Sequence, residues 1–559
     1  MLVASRIVVL ILFLISEGES IRLESGVHLF VDNQYIDELT SLEFQNGLVQ
    51  KDLANPIVHP EYPWESAVHF YTSFIQVPSS LSLTGQPTYM IYYACAPSYA
   101  VLFNYSVSVC VATSTNGINW TKPLLSYYPY TANGTEPPQN TNIVFQTSIN
   151  EFLGSVFIDT KQGIPRVEIF KMTYENSSRY VYIATSPDGL KWTAGSGPAN
   201  PVATLSDTQT SMFYSNENGG QYVLYGRHDA GIANSTQQCP GAGLDFRHVM
   251  VTVSSNSSYG PWTKPIEAFP LGAPDPIQCF DSYNPAALYY HDVYLLFPSG
   301  MLHWALKESG APIPRAGAND GVMDIRLSYS RTALGPYQFV SRDSFISRGI
   351  GTIDPISKLV NGTGSDRDAG FVFASSNGLL DPDFVKTFNN DDSNPSHWIY
   401  HLYWGSQTTH AGGGAFLPRY WPHAYSGIFK AKLRREGYIA LSTLATDPVG
   451  FGSFRTEILS LPQAIPNKEL HLKLNAQIAT AGSLNVQFED GNTKDPIRGF
   501  AFKDFKTLHG NHIRQLVEFI REDNTTFSDL TPLANYERGV RIHIQMTHTK
   551  LYSWVFSYS

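Results

Sequence analysis

The alternation of apolar and polar positions in this chain is short-ranged and repeatedly broken by turns. Tyr182-Ile-Ala-Thr-Ser-Pro-Asp-Gly-Leu-Lys-Trp-Thr193 sets the pattern: an apolar run closes on Thr-Ser, a turn follows at Asp188-Gly189, and Trp192 returns just after it. Asp-Gly between apolar runs is a strong hairpin signal because the central residues of such a turn take positive φ. The Trp is expected to pack back on the strand just left. The same unit recurs as Cys110-Val-Ala-Thr-Ser-Thr-Asn-Gly-Ile-Asn-Trp120, as Val251 to Trp262 with a longer loop, as Arg326 to Tyr337 with Tyr for Trp, and as Gly427 to Tyr438 with its turn at Glu436-Gly437. The first four copies recur roughly every 70 residues and the last about 100 further on, the period of a four-stranded blade plus loops. The pattern predicts an all-β chain, a five-bladed β-propeller followed by a C-terminal β-sandwich.

In chain order, His28 to Asp37 is a strand placed to close the ring by pairing with the last blade and removing an exposed edge. Asn55 to Glu65 is a Pro-broken loop leading into the first inner strand, Val68 to Gln76. Later inner strands are expected to begin near Phe152, Thr208, Tyr283 and Thr352, with the residues just before them lining the top of a central funnel. Beyond Leu441 the pattern changes. Leu470–Asn475, Ser483–Phe488, Gly499–Phe502 and Val540–Gln545 read as sandwich strands. The expected organisation is 1–20 signal peptide, 21–450 propeller and 451–559 sandwich.

Composition sharpens this. Charged residues make up only 15% of the 559 residues, while Gly (43) and Pro (35) are plentiful, a balance that suits many turns and not long amphipathic helices. The net charge of −10 argues against nucleic acid or an anionic membrane as partner. Arg6, the apolar run Ile7 to Ile15, and the small residues Gly18 and Ser20 read as a secretory signal, too short to span a membrane. A secreted, extracellular glycoprotein is expected, with sequons at Asn104, Asn119, Asn133, Asn176, Asn234, Asn256, Asn361 and Asn524. In an oxidising compartment four cysteines imply two disulfides. Three pairings are open; Cys95 and Cys110 lie on consecutive predicted strands, and Cys239–Cys279 would follow from that pair.

Leu29-Phe-Val-Asp32, Asn55-Pro-Ile57, the Ala-Thr-Ser…Gly…Trp units, Asp207 with Tyr222 to Arg227, Leu433 to Tyr438, Leu474-Asn-Ala476, Gly482 and Pro496 to Phe500 together resemble the five-bladed propeller superfamily of arabinanases, levansucrases and invertases. The resemblance is closer to secreted members that carry an appended C-terminal sandwich, and it spans nearly the whole mature chain. It implies cleavage or transfer of glycosides by carboxylates of the first three blades: an Asp, a supporting Asp and a Glu acid. This chain departs from that pattern. Asn55 and Glu65 stand in the first-blade segment, and Asp207 opens the third blade.

Glycoside cleavage needs two carboxyl groups across the bond, one protonated and one ionised. Glu65, Asp207, Asp281 and Asp354 stand at or just before predicted inner strands of different blades and are the catalytic candidates. Asp159 could be the second-blade support, but a surface turn is the better reading, and Asp188 is read as part of its turn. Arg227, Trp64, Tyr283, His410 and Trp421 are candidate substrate contacts. Trp304, Trp404 and Tyr420 fall in or beside the same loops, and Arg326 and Arg342 flank the fourth repeat. The arginines have a structural ion pair between blades as their other reading. The triple glycine after His410 is no phosphate cradle, since no helix follows it. No metal or redox cofactor is expected, although the resemblance leaves room for a structural ion near the axis. The expected partner is a carbohydrate. Two rivals stand beside a glycoside hydrolase: a non-catalytic carbohydrate- or protein-binding propeller, and a sialidase, whose Asp-box Ser186 to Trp192 resembles but whose six blades exceed the five repeats counted.

Overall fold

A computed structural model describes residues 20–65, 67–97, 108–131, 137–146, 152–175, 180–195, 209–230, 246–269, 280–303, 321–341, 343–350, 352–353, 360–361, 367–385, 397–407, 426–447 and 449–559. Backbone contacts divide it into two units, Asn46–Tyr438 and a second that joins residues up to Gln45 with Ile439–Ser559.

The first unit is a five-bladed propeller. Its inner strands are Ala67–Val77, Phe152–Ile158, Ser211–Ser215, Ala286–Tyr290 and Phe371–Leu380. Each lies beside the next, and the fifth returns to the first, with Ser376 opposite Ser73 in parallel register. Antiparallel strands extend outward from each; in the first blade these are Thr88–Ala96, Ser108–Ser114 and Ile143–Phe145. The sequence repeat marks the third strand of every blade: Ser108–Ser114, Val181–Ser186, Phe246–Ser254, Ser328–Ser330 and Ser426–Arg434.

Inner strands that converge on an axis leave no room for large side chains, and backbone groups facing it need partners. Small hydroxyl residues meet both demands. The Val156 amide donates to Ser73 Oγ (2.8 Å), that of Met212 to Ser155 Oγ (2.8 Å), and that of Ala287 to Ser211 Oγ (3.2 Å), so each serine stitches its blade to the next. Asn284 donates to the Ala374 carbonyl (3.0 Å), and the hydroxyls of Thr72 and Ser375 bond across the closing seam. A side chain at Gly154 would sit 2.2 Å from Thr210 Oγ1, so only glycine fits there.

The fourth strand of the last blade is Val49–Lys51, paired antiparallel with Ser426–Arg434 through Leu433–Val49 and Ala431–Lys51. The ring is therefore closed by an N-terminal strand, but not the expected one. Gly26–Leu29 pairs instead with Val540–Tyr558, His28 opposite Trp554. The cause is burial: Phe30 packs on Trp554 (4.8 Å) and Phe454 (5.5 Å) in the core of the second unit. Residues 21–45 thus belong with the sandwich, and its C-terminal part begins at Ile439, not at 451.

In that unit, Leu470–Asp490 and Val540–Tyr558 run antiparallel along nearly their whole length. Leu470–Asn475 and Ser483–Phe488 prove to be the two halves of one strand, with a register shift between Ile478 and Ser483. Gly499–Phe502 forms a turn that leads into a 3₁₀ segment, Phe502–Asp504, not a strand.

The two short Trp hairpins, ending at Trp120 and Trp192, have one geometry. Ser186 Oγ accepts from the Gly189 amide (2.9 Å), and Asp188 Oδ1 accepts from the amides of Leu190 and Lys191 (2.8 and 2.9 Å). Ser114 and Asn116 make the same bonds to Gly117, Ile118 and Asn119. Only Gly117 (φ 68°) and Gly189 (φ 76°) take positive φ, because side-chain caps replace the two left-handed residues expected. Trp192 does pack back, its ring nitrogen donating to the Gly189 carbonyl (3.1 Å). Inner strands start at Phe152 as expected, and at Ser211 and Ala286, three residues later than expected. The fifth starts at Phe371, because Thr352–Ile353 instead forms a small hairpin with Val360–Asn361.

Cys95 and Cys110 form the expected disulfide, with Cα atoms 5.9 Å apart; Cys239 and Cys279 lie outside the described residues. Its 15-residue sequence separation gives a loop whose closure is worth about 3 kcal/mol. Replacing both cysteines by Ser is expected to lower unfolding free energy by about that amount in a denaturant titration.

His401 is fully buried among Phe297, Phe345 and Tyr438, and neither ring nitrogen has a hydrogen-bond partner among the described residues. Burial lowers its pKa to about 3, so the native state holds it neutral. The unfolded chain takes up a proton below about pH 6.5 and the native state does not, so stability falls as pH drops from there towards 3. The slope is up to about 1.4 kcal/mol per pH unit. In His401→Phe this part of the pH dependence of the melting temperature is expected to disappear.

Candidate functional site

At the end of the ring where the inner strands begin, the described side chains converge on Tyr283. Its amide bonds the Ser299 carbonyl (2.9 Å), which fixes the residue ahead of Ala286–Tyr290. The guanidinium carbons of Arg227 and Arg247 lie 4.4 and 4.8 Å from its ring centre. Both arginines come from adjacent antiparallel strands of the third blade, Gln221–Ala230 and Phe246–Ser254. They are 1% and 7% exposed. Tyr283 meets Phe373 edge-on (5.5 Å), Phe373 stacks on Trp404 (5.2 Å), and the Trp404 ring nitrogen donates to Ser426 Oγ (2.7 Å). Two desolvated cations over one ring gain from its quadrupole but repel each other, so the site favours negative charge nearby.

Asp281 lies in Phe280–Ser282, two residues before Tyr283 and opposite Met301, whose sulfur is 3.8 Å from Arg247 Nη1. Glu175, buried, ends the second strand of the second blade opposite Phe152 and so stands at the same axial level. Glu175 and Arg247 carry no sequence signal of the kind that marks Asp281, because they sit at the ends of second and third strands and not ahead of an inner strand.

Glu65 does precede the first inner strand, but its carboxylate is closed in. Oε1 accepts from the Tyr93 hydroxyl (2.5 Å) and Asn142 Nδ2 (2.9 Å), and Oε2 from Lys122 Nζ (2.8 Å) and the Glu61 and Tyr62 amides (3.1 and 3.4 Å). Asp368, just ahead of Phe371–Leu380, repeats the arrangement. Its Oδ2 accepts from Lys51 Nζ (2.6 Å) and the Tyr403 hydroxyl (3.0 Å). Tyr93 and Tyr403 occupy second strands, and Lys51 and Lys122 come from the outer part of their blades. One carboxylate–lysine–tyrosine clamp thus locks the start of an inner strand in two blades. Burial, then the neighbouring carboxylate, pushes both tyrosines well above the usual phenol range, so they donate and stay neutral. A carboxylate holding five donors is a structural group, which corrects the catalytic reading of Glu65. Trp64 is corrected with it: 2% exposed, stacked on Tyr62 (4.6 Å) and donating to Asn142 Oδ1, it is core and not a sugar platform.

Asp159 is likewise no surface-turn residue. It is buried and accepts from Lys171 Nζ (2.6 Å) and the Tyr222 hydroxyl (2.8 Å), joining the second and third blades. Arg326 is 7% exposed, and burial lowers its pKa against the opposing pull of Asp324 and Asp343. Asp207, Asp354, His410 and Trp421 lie outside the described residues, as do Trp304, Arg342 and Tyr420. Among the described residues no group of three or more His, Cys, Asp or Glu could hold a metal ion, and no helix is long and apolar enough to cross a membrane.

No protein-family model matches the chain, and no curated protein matches it. Solved structures to which it is similar include a glycosyl hydrolase from Bacteroides ovatus (15% identity, 69% of this chain and 94% of that one, TM-score 0.35). The catalytic domain of a Coprinopsis cinerea α-L-arabinofuranosidase is another (13%, 70% and 97%, TM-score 0.35). An inulosucrase from Halalkalicoccus jeotgali is a third (11%, 72% and 91%, TM-score 0.36).

The two clamps give a direct test. Glu65→Gln takes from Lys122 its nearer carboxylate and leaves it Glu61 at 3.5 Å, and Asp368→Asn takes the carboxylate from the part-exposed Lys51. In each the buried carboxyl group loses a charge-assisted hydrogen bond, a change that costs about 1–3 kcal/mol. Both variants are expected to melt below wild type in calorimetry. Glu65→Gln that melts like wild type would remove the structural assignment.

Proposed function

We propose that the chain is a secreted glycoside hydrolase that takes a poly- or oligosaccharide into the mouth where the inner strands begin and cleaves it by carboxylate acid/base catalysis. The observation that carries this reading is the convergence of buried Arg227 and Arg247 on Tyr283 at that mouth, beside the backbone position of Asp281. Buried guanidinium groups hold neighbouring carboxylates ionised, and Tyr283, itself buried with Phe373 and Trp404, positions the two arginines and is not a sugar platform. Asp207, four residues ahead of Ser211, and Asp281 are the carboxylates we assign to the chemistry. Glu175, from the second blade, fits the supporting role. Near the axis the oxygens Gln209 Oε1 and Asn284 Oδ1 are buried without a hydrogen-bond partner among the described residues. An ordered water or a structural cation would satisfy them, bracing the ring without taking part in the chemistry.

One observation favours a non-catalytic, carbohydrate-binding propeller instead: the carboxylate ahead of the first inner strand, Glu65, is fully engaged. The sialidase reading is weaker, because the ring closes with five inner strands.

The deciding experiment is a polysaccharide hydrolysis screen of the secreted protein beside Asp207→Asn, Asp281→Asn and Glu65→Gln. Wild type is expected to release sugar, and the two Asp variants to lose about 10²-fold or more in kcat/KM. Glu65→Gln, assayed below its melting temperature, is expected to keep its activity. Binding on a glycan array without release by any form would replace the hydrolase by the lectin-like reading.

A further inference from the structure

The opposite end of the axis, where the inner strands finish, holds a cavity of about 320 Å³. All five blades line it, each with residues just beyond its stitching position: Phe74 and Gln76 after Ser73, Phe157 after Ser155, Phe213 after Ser211, Leu288 after Ala287, and Asn377 and Leu379 after Ser376. The change from small to large side chains within one to three positions makes a socket that is open to solvent. Its floor is the hydrogen-bonded plug of Thr72, Ser73, Thr210, Ser375 and Ser376, each at most 2% exposed. Tyr289, 37% exposed, stands in its wall and opens it to solvent.

No lining residue is charged. Two of them carry amides that are half used. Gln76 Oε1 accepts from the Asp381 amide (3.0 Å) and Asn377 Nδ2 donates to the Val156 carbonyl (3.2 Å). That leaves Gln76 Nε2 as a donor and Asn377 Oδ1 as an acceptor, neither with a hydrogen-bond partner among the described residues. A wholly apolar ligand would strip water from both groups and return nothing, at a cost of about 1–3 kcal/mol each. A charged ligand would enter an uncharged, largely apolar socket. A neutral ring with apolar C–H faces and hydroxyls that both donate and accept suits the lining. The volume lies at the small end of the usual 300–1,000 Å³ or so for ligand pockets.

We propose that this socket is a second carbohydrate site that binds one neutral sugar unit, walled off by the axial plug from the mouth where the strands begin. It stands whether or not that mouth is catalytic, because none of its residues belongs to the mouth. As the ring is shared, one chain could grip a polysaccharide at two points, which raises effective concentration without new contacts at the first.

The test is a ligand-observed NMR titration of the full chain with the methyl glycosides of glucose, galactose, mannose and arabinose. Methyl glucuronide and benzene are the charged and apolar comparisons. Wild type is expected to bind at least one neutral glycoside, and to bind it in preference to the glucuronide and benzene. Leu379→Trp, which fills the socket, and the milder Tyr289→Ala are each expected to weaken that binding at least tenfold, while Asp207→Asn leaves it unchanged. The proposal is overturned if no neutral glycoside binds, if benzene or the glucuronide binds as well, or if neither socket variant weakens binding while both keep the wild-type circular dichroism spectrum. Loss of sugar release in the hydrolysis screen with socket binding intact would remove the catalytic reading and leave this one.

Discussion

Everything in the propeller depends on how five inner strands can approach one axis. The backbone amides of Val156, Met212 and Ala287 face neighbours from another blade, and an unpaired buried amide costs about as much as a lost hydrogen bond. Serine is the smallest residue that can accept from such an amide, and Ser73, Ser155 and Ser211 do so at equivalent places. A larger residue would push the blades apart, and an alanine would leave the amide bare. The axis is therefore filled by small polar groups. The same filling separates the two ends of the ring, so each end can take its own ligand chemistry.

Much of this architecture was legible in the sequence. A hairpin whose Ser caps the glycine amide and whose Asn or Asp caps the next two is a local device, written within six residues, and Ser114–Asn119 and Ser186–Lys191 both show it. The third strands of the first two blades could be found that way, and the other three from the looser repeat. Ring closure could not. Gly26–Leu29 and Val49–Lys51 are both plausible closing strands by local pattern, and what separates them is tertiary: Phe30 has an aromatic core to enter elsewhere, and Val49–Lys51 fits the free edge of Ser426–Arg434. Strand choice of this kind is settled by packing against residues hundreds of positions away.

The site was legible only in part, and for a related reason. A carboxylate ahead of an inner strand looks alike in sequence whether it faces a funnel or turns into its own blade. Glu65 turns inward because Tyr93, Asn142 and Lys122 wait there with donors, and Asp368 does the same with Tyr403 and Lys51. Those partners lie 28, 77 and 57 residues from Glu65, and 35 and 317 from Asp368, beyond any local motif. Arg227 and Tyr283, by contrast, stand at a strand end and ahead of a strand start, positions legible in the sequence, and their side chains lie together, 4.4 Å from guanidinium carbon to ring centre.

The clamps bear on how the mouth could work. A catalytic acid must be free to give up and regain its proton, so it cannot also be the group that anchors a blade through a buried lysine. In this ring the first and fifth blades use the carboxylates ahead of their inner strands as anchors. The chemistry proposed here therefore falls to carboxylates of the second to fourth blades, near the two arginines. That moves the reacting centre off the axis, towards the arc between Glu175 and Tyr283. A substrate chain held on that side leaves the axial plug undisturbed, which is why binding in the socket at the far end is expected not to depend on Asp207.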